Sequence, residues 1–145
     1  MRIAVLMTVY NRKEKTLRCL DSLSRTLAGH EKDVSVTVFL TDDGCSDGTA
    51  DAVREQAFPF EIDILQGDGT LFWNGGMINS WKAALAVGGW DGFLWLNDDI
   101  EVLPEFWGDL VYADAYARKK YGKGGVYVGS TKDADTGNFT YGGFV

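Results

Sequence analysis

Two prolines, two cysteines and one histidine in 145 residues exclude several kinds of chemistry at the outset. Nothing in the spacing of Cys19 and Cys45 suggests a disulfide framework or a zinc site, and a reducing cytoplasm fits such usage. His30 falls beside the predicted end of a helix and reads as a surface residue rather than a ligand. Basic residues are also scarce: 14 Lys and Arg stand against 21 Asp and Glu, for a net charge of -7. Binding a nucleic-acid backbone needs a basic face, so nucleic acid is excluded as a general partner. The one basic cluster, Arg118, Lys119, Lys120 and Lys123, reads as a solvated helix end favoured by the helix dipole, with contact to anionic lipid as the lesser reading. Long apolar runs are missing as well. The first, Ile3 to Met7, leads straight into polar residues and falls far short of the roughly 20 residues of a membrane span.

What is present is a chain of ordinary hydrophobicity, 46% apolar, sufficient for one core. Its periodicity alternates. Ile3 to Met7 predicts a buried strand, and Leu17, Leu20, Leu23 and Leu27 recur at helical spacing from about Glu14 to a stop at Gly29. Val34 to Leu40 predicts a second strand, and Ser46 to Thr49 offers caps for a helix through about Gln56. Phe60 to Leu65 predicts a third strand. A glycine-containing, aromatic loop follows from Gln66 to Asn74, and then a helix whose face is Met77, Ile78, Trp81, Ala84 and Leu85. Phe93 to Leu96 predicts a strand buried on both faces. After it, Pro104 opens a helix with Phe106, Trp107, Leu110 and Val111 toward the core, and Gly125 to Gly129 predicts one more strand. The chain closes with a turn at Asp135 to Asn138 and an aromatic strand running to Val145. Strands alternating with amphipathic helices imply an α/β fold, an open and mainly parallel sheet sandwiched by helices.

In such sheets ligands collect beyond the carboxyl ends of the strands. Three polar clusters fall there: Thr8 to Arg12, Asp42 to Asp47, and Asn97 to Asp99. Alone, Asp98-Asp99 is well explained as a solvated acidic turn. Adjacent carboxylates at the end of a buried strand nevertheless repel and lose hydration, which favours a cation or a set of donors beside them. Mg2+ or Mn2+ carrying phosphates suits that place, because hard divalent ions take one or two carboxylates plus substrate oxygens. An EF-hand starting at Asp43 fails, because its twelfth position is Arg54 where a bidentate Glu is needed. A dinucleotide-dependent oxidoreductase would need Gly-x-Gly-x-x-Gly after the first strand, and Thr8-Val9-Tyr10-Asn11-Arg12 has no glycine. That absence also counts against a sugar-phosphate nucleotidyltransferase. A haloacid-dehalogenase-like phosphatase would carry its nucleophile Asp after the first strand.

Met7-Thr8-Val9-Tyr10-Asn11-Arg12, then Asp42-Asp43-Gly44-Cys45-Ser46-Asp47-Gly48-Thr49, then Asn97-Asp98-Asp99 together resemble, in order and spacing, the N-terminal nucleotide-sugar-binding half of a family 2 glycosyltransferase of GT-A fold. Gly69 to Met77 and Thr140 to Phe144 further resemble rhamnosyltransferase-like members that build bacterial surface polysaccharides. The resemblance implies a metal-dependent, inverting transfer of a sugar from a nucleoside diphosphate sugar to an acceptor hydroxyl. Thr8, Tyr10 and Arg12 would lie along the nucleotide. Asp43 would accept a hydrogen bond from the base, favouring a UDP- or dTDP-sugar, and Asp42 would support its loop. Asp98 would face the ribose or sugar, Asp99 would ligate the metal, and Asp68 and Trp73 would border the sugar pocket, although Trp73 equally suits core packing. Asn97 departs from the common Asp-x-Asp, so the metal would rest mainly on Asp99 and the substrate phosphates.

The same resemblance implies one nucleotide-sugar-binding domain over residues 1–145, ending before an acceptor-binding part that supplies the catalytic base. Glu101 and Asp133 read as surface residues rather than that base. The expected setting is the cytoplasm at the inner face of the membrane, with a glycan or lipid-linked acceptor and peripheral membrane association. The contrasting reading is a non-catalytic nucleotide-sugar-binding domain or remnant.

Overall fold

A computed structural model describes residues 1–141, the side chain of Tyr141 apart. It contains two compact units, Met1–Trp107 and the residues from Gly108 onward. In the first, β1 (Arg2–Val9), β2 (Ser35–Asp42), β3 (Glu61–Gln66) and β4 (Gly92–Trp95) form one sheet in the order β3-β2-β1-β4. Every pairing is parallel. The helices between them are α1 (Lys13–Leu27), α2 (Thr49–Glu55) and α3 (Phe72–Val87). This is the α/β architecture that the alternating periodicity implies.

The order has a physical consequence. From β1 the chain steps outward to β2 and β3, then returns through α3 to place β4 on the other side of β1. Right-handed crossovers therefore put α1 and α2 on one face and α3 on the other, and the direction reverses between β1 and β4. The ends of β1 to β3 are level, with Val9 paired to Asp42 and Asp42 to Gln66, whereas β4 stops opposite Leu6, where the Leu96 N–H donates to Leu6 O at 3.0 Å. The loops leaving all four strands consequently open on one edge.

The strands buried on both faces are β1 and β2, not the 93–96 segment. Ile3, Ala4, Val5, Leu6, Met7 and Val9 are all buried, and Ala4 and Leu6 join Phe39, Met77 and Ala84 in the core beneath α3. No residue of β4 is fully buried, and Phe93 and Trp95 are exposed; Leu96, just after the strand, is buried. The reason is position: among the described residues β4 pairs only with β1, at the edge of the sheet. A continuous apolar run cannot distinguish the two cases.

The α3 helix departs from expectation twice. It begins at Phe72, inside the predicted loop, and runs through Gly75-Gly76. A Cβ on Gly76 would lie 2.0 Å from Thr8 Oγ1 and 2.6 Å from Thr8 Cβ, so a glycine is what lets the helix lie directly on β1. Its packed face is Gly76, Met77, Ser80 and Ala84, while Ile78, Trp81 and Leu85 point outward. Trp81 meets Phe93 and Trp95 instead, with ring centroids 6.2 and 5.7 Å apart.

In the second unit, most of α4 (Phe106–Tyr121) precedes a hairpin of β5 (Thr131–Lys132) and β6 (Phe139–Tyr141). Along the predicted core face of α4 only Trp107 is fully buried; Phe106, Leu110 and Val111 are half-buried. The predicted turn holds: Asp133 Oδ1 accepts the N–H groups of Asp135 and Thr136, and Gly137 turns with φ 70°. The strand expected at Gly125 to Gly129 is absent. Its residues pair with no other strand, and Val126 and Val128 are exposed. Gly142 to Val145, which carry part of the resemblance at Thr140 to Phe144, lie outside the described residues.

Candidate functional site

Four loops converge on the carboxyl edge of the sheet, and side chains of three of them hold the others in place. After β1 the chain turns at Asn11, whose φ of 51° is left-handed and tolerable for asparagine. Asn11 Oδ1 accepts the Ser46 N–H at 2.7 Å, and the Asn11 N–H donates to Cys45 Sγ at 3.2 Å. Asp47 serves two helices. Its Oδ2 accepts the Lys13 N–H at the start of α1, and its Oδ1 accepts the Thr49 N–H and hydroxyl at the start of α2. These bonds lower the Asp47 carboxyl pKa, the Thr49 hydroxyl most, and they satisfy amides that helix starts leave open. The loops after β1 and β2 are thus one bonded unit.

Asp42 and Asp43 tie in the loop after β3. Asp42 Oδ1 accepts the Cys45 N–H at 2.7 Å, and its carbonyl accepts the Gly67 N–H at 2.7 Å, consistent with Asp42 supporting the loop. Asp43 is buried and takes three backbone amides: Gly69 at 2.9 Å and Leu71 at 3.3 Å on Oδ1, and Phe72 at 2.9 Å on Oδ2. Of roughly four lone-pair positions on a carboxylate, one on Oδ2 is left for a ligand donor. The approach is tight, since a Cβ on Gly67 would meet Asp43 Oδ1 at 2.6 Å. Phe72 itself is held at φ 52°, a sparsely populated conformation for an aromatic residue.

Across the β1/β4 crevice stands the carboxylate pair. Arg12 Nη1 lies 3.3 Å from Asp98 Oδ1 and 3.1 Å from Asp99 Oδ2, so one guanidinium bridges the two carboxylates. Asp98 is buried and Asp99 is about 41% exposed at its side chain. Burial pushes the Asp98 carboxyl above its usual pKa, Arg12 opposes that, and the neighbouring Asp99 adds to it. The strand end is anchored from two sides. Trp73 Nε1 donates to Asn97 Oδ1 at 2.9 Å, and Cys19 Sγ donates to Asn97 O at 3.3 Å. Ser22 Oγ accepts the Val102 N–H at 2.9 Å further along.

The remaining expected residues fall on the same edge with differing exposure. Thr8 is half-buried beneath Gly76, with Oγ1 3.4 Å from Thr41 O. Tyr10 is 57% exposed. Asp68 lies in the loop after β3 and closes a turn by accepting the Thr70 hydroxyl and N–H, which lower its pKa. Trp73 is no core residue: it is half-exposed, and its indole bridges α3 to the β4 exit. Asn11, Asp47 and the Trp73–Asn97 contact carry much of the site's geometry; sequence reasoning put Asn11, Asp47 and Asn97 inside the polar clusters and Trp73 at the sugar pocket, but gave none of these bonds. Asn11, directly before a helix, and Asp47, within a run of cap-forming residues, were the available signals.

The chemistry of the donor set fits a divalent cation in one respect: a cation already sits between Asp98 and Asp99, in the form of the guanidinium. Among the described residues no three His, Cys, Asp or Glu side chains are grouped to hold a metal by themselves. Two carboxylates with diphosphate oxygens are sufficient for Mg2+ or Mn2+.

Comparison with known proteins agrees with this architecture. The sequence pattern of Glycosyl transferase family 2 matches residues 4–137. A search of curated proteins finds no match. Among solved structures, S. aureus TarS 1-349 superimposes with a TM-score of 0.60 at 18% identity, over 84% of this chain and 33% of that one. The same protein in complex with UDP-GlcNAc gives 0.61 at 18% identity, over 84% and 32%, and in complex with UDP 0.59 at 19%, over 84% and 33%. This chain therefore spans about a third of the length of the structures it resembles. The fold is shared over the covered part of each chain. With a match over residues 4–137, this chain belongs to glycosyl transferase family 2.

Proposed function

We propose that this chain forms the donor-binding part of a glycosyltransferase that moves a sugar from a nucleoside diphosphate sugar to an acceptor hydroxyl, with inversion and with Mg2+ or Mn2+. The observation that carries this reading is the meeting of Arg12 with Asp98 and Asp99 across the β1/β4 crevice, beside a loop cluster pinned by Asp43. Charge of both signs at a topological switch point suits a diphosphate with its counter-ion. Family membership supports the reaction class, and the UDP-GlcNAc and UDP complexes of TarS support a nucleotide-sugar donor.

In this reading Thr8 and Tyr10 flank the nucleotide, and the free Oδ2 position of Asp43 accepts an N–H of uracil or thymine. Arg12 meets phosphate oxygens, Asp98 faces the ribose or sugar, and Asp68 and Trp73 border the sugar. Asp99 would hold the metal, with the substrate phosphates completing its coordination. Bound there, the metal supplies neutralisation of charge on the departing nucleoside diphosphate. The catalytic base is assigned to no residue of this chain. The reading places the enzyme in surface polysaccharide synthesis, in the cytoplasm, with a glycan or lipid-linked acceptor at the inner face of a membrane. No helix among the described residues is long and apolar enough to cross a membrane. Exposed Lys119, Lys120 and Lys123 support a peripheral contact.

Calorimetric titration with UDP, dTDP and GDP, each with and without Mn2+, tests the proposal. Metal-dependent binding of a uracil or thymine nucleotide, abolished by Asp99→Ala, is the expected result. A folded chain that binds none of them refutes it.

A further inference from the structure

The guanidinium between Asp98 and Asp99 has a consequence for the order in which ligands assemble. Arg12 is the N-cap residue of α1, with a non-helical backbone (φ -134°, ψ 39°), and its carbonyl accepts both the Thr16 N–H at 2.9 Å and the Thr16 hydroxyl at 3.0 Å. Its backbone is fixed, while its side chain is 48% exposed and reaches the carboxylates through one nitrogen only. Asn97, the other polar side chain at this strand end, is already committed to the Trp73 indole. A cation arriving at the pair is left chiefly the carboxylate oxygens, and Arg12 already uses one on each residue.

We propose that Arg12 is an exchangeable resident counter-ion of the Asp98–Asp99 pair: a divalent cation competes with it, and the released guanidinium turns to the phosphates that arrive with the metal. Metal alone must break two charge-assisted hydrogen bonds and leave the guanidinium beside a new positive charge. Metal with a diphosphate breaks the same bonds but replaces them, because planar guanidinium binds phosphate oxygens as readily as carboxylates. Metal and nucleotide therefore bind synergistically, and Arg12 acts as a positioning residue that sets the synergy. The inference rests on the donor-site reading above.

The test measures Mn2+ binding to the full chain from the loss of the free-ion electron paramagnetic resonance signal, without and with UDP. Arg12→Gln is expected to tighten binding of Mn2+ alone by about tenfold or more, the equivalent of one hydrogen bond to a charged group. Adding Asp99→Asn to that variant should remove the gain. UDP should tighten Mn2+ binding less in Arg12→Gln than in the parent, with the ratio falling by a similar factor. Arg12→Lys keeps the charge without the planar fork and should fall between the two; it carries the test if Arg12→Gln does not melt cooperatively. Equal or weaker binding of Mn2+ alone by both variants overturns the counter-ion role and leaves the donor site standing. Failure of the parent and both variants to bind Mn2+ even with UDP overturns both.

Discussion

Asp43 should be worth more to this protein as a structural acceptor than any other side chain on the carboxyl edge. It is 4% exposed and receives backbone N–H groups at 2.9, 3.3 and 2.9 Å from Gly69, Leu71 and Phe72. Asp43→Asn keeps a carbonyl oxygen for Gly69 and Leu71 but turns an NH2 donor toward the Phe72 N–H. One charge-assisted bond is lost and a buried donor is left unpaired, a cost of about 2–3 kcal/mol. Asp43→Ala removes all three bonds, of which two are short, for about 3–5 kcal/mol. Release of Phe72 from its φ of 52° returns about 1 kcal/mol of that. All five tryptophans, at 73, 81, 90, 95 and 107, lie in the first compact unit, so urea unfolding followed by tryptophan fluorescence reads the unit in question. Amide exchange at Gly69, Leu71 and Phe72 should accelerate in both variants. An Asp43→Asn protein within about 0.5 kcal/mol of the parent, with those amides still protected, would refute the reasoning.

Gly76→Ala should destabilise by about 1–3 kcal/mol in the same assay, because its Cβ would overlap Thr8 Oγ1 at 2.0 Å, even after about 1 kcal/mol of gained helix propensity. Gly75→Ala, whose nearest obstacle is Leu71 Cβ at 3.1 Å, should cost less. The pKa of Asp98 is raised in the folded state from its usual 3.8, so the native protein binds more protons than the unfolded chain just above that value. Its contribution to stability is therefore favourable at low pH and declines as pH rises through the folded pKa. Asp98→Asn should flatten that slope, which unfolding curves collected between pH 3.5 and about 7 would show. Burial pushes the Cys19 thiol up to about 12 and the Cys45 thiol up to about 11. In native protein at about pH 8 both should react slowly with a disulfide reagent, Cys19 the slower, and both should react fully on unfolding. Rapid labelling of Cys19 in the native state would contradict its burial.

Much of this protein is legible from local pattern. The leucine stripe of α1, the apolar runs of β1 to β3 and the acids at strand ends reflect constraints that act within a few residues, and they specify a parallel α/β sheet and its functional edge. Local pattern fails where a neighbour distant in sequence decides. Phe93 to Leu96 looks fully buried, yet β4 is an edge strand and presents Phe93 and Trp95 to solvent. Gln66 to Asn74 looks like a loop, yet the helix starts at Phe72 within it and packs on β1 because Gly76 puts no Cβ against Thr8. Gly125 to Gly129 has strand composition and pairs with no strand among the described residues.

Sequence nominated the candidates for the site: through polar strand ends and the family resemblance it named Thr8, Tyr10, Arg12, Asp42, Asp43, Asp68, Trp73, Asp98 and Asp99. Tertiary structure decided what each carboxylate and cation is bonded to. Asp43 spends three acceptor positions on the loop after β3, Asp47 caps two helices, and Arg12 reaches 86 and 87 residues along the chain to Asp98 and Asp99. Hydrogen bonds and ion pairs act over about 3 Å of space regardless of sequence separation. The return of the chain to β1 creates those distances, and no stretch of sequence contains it.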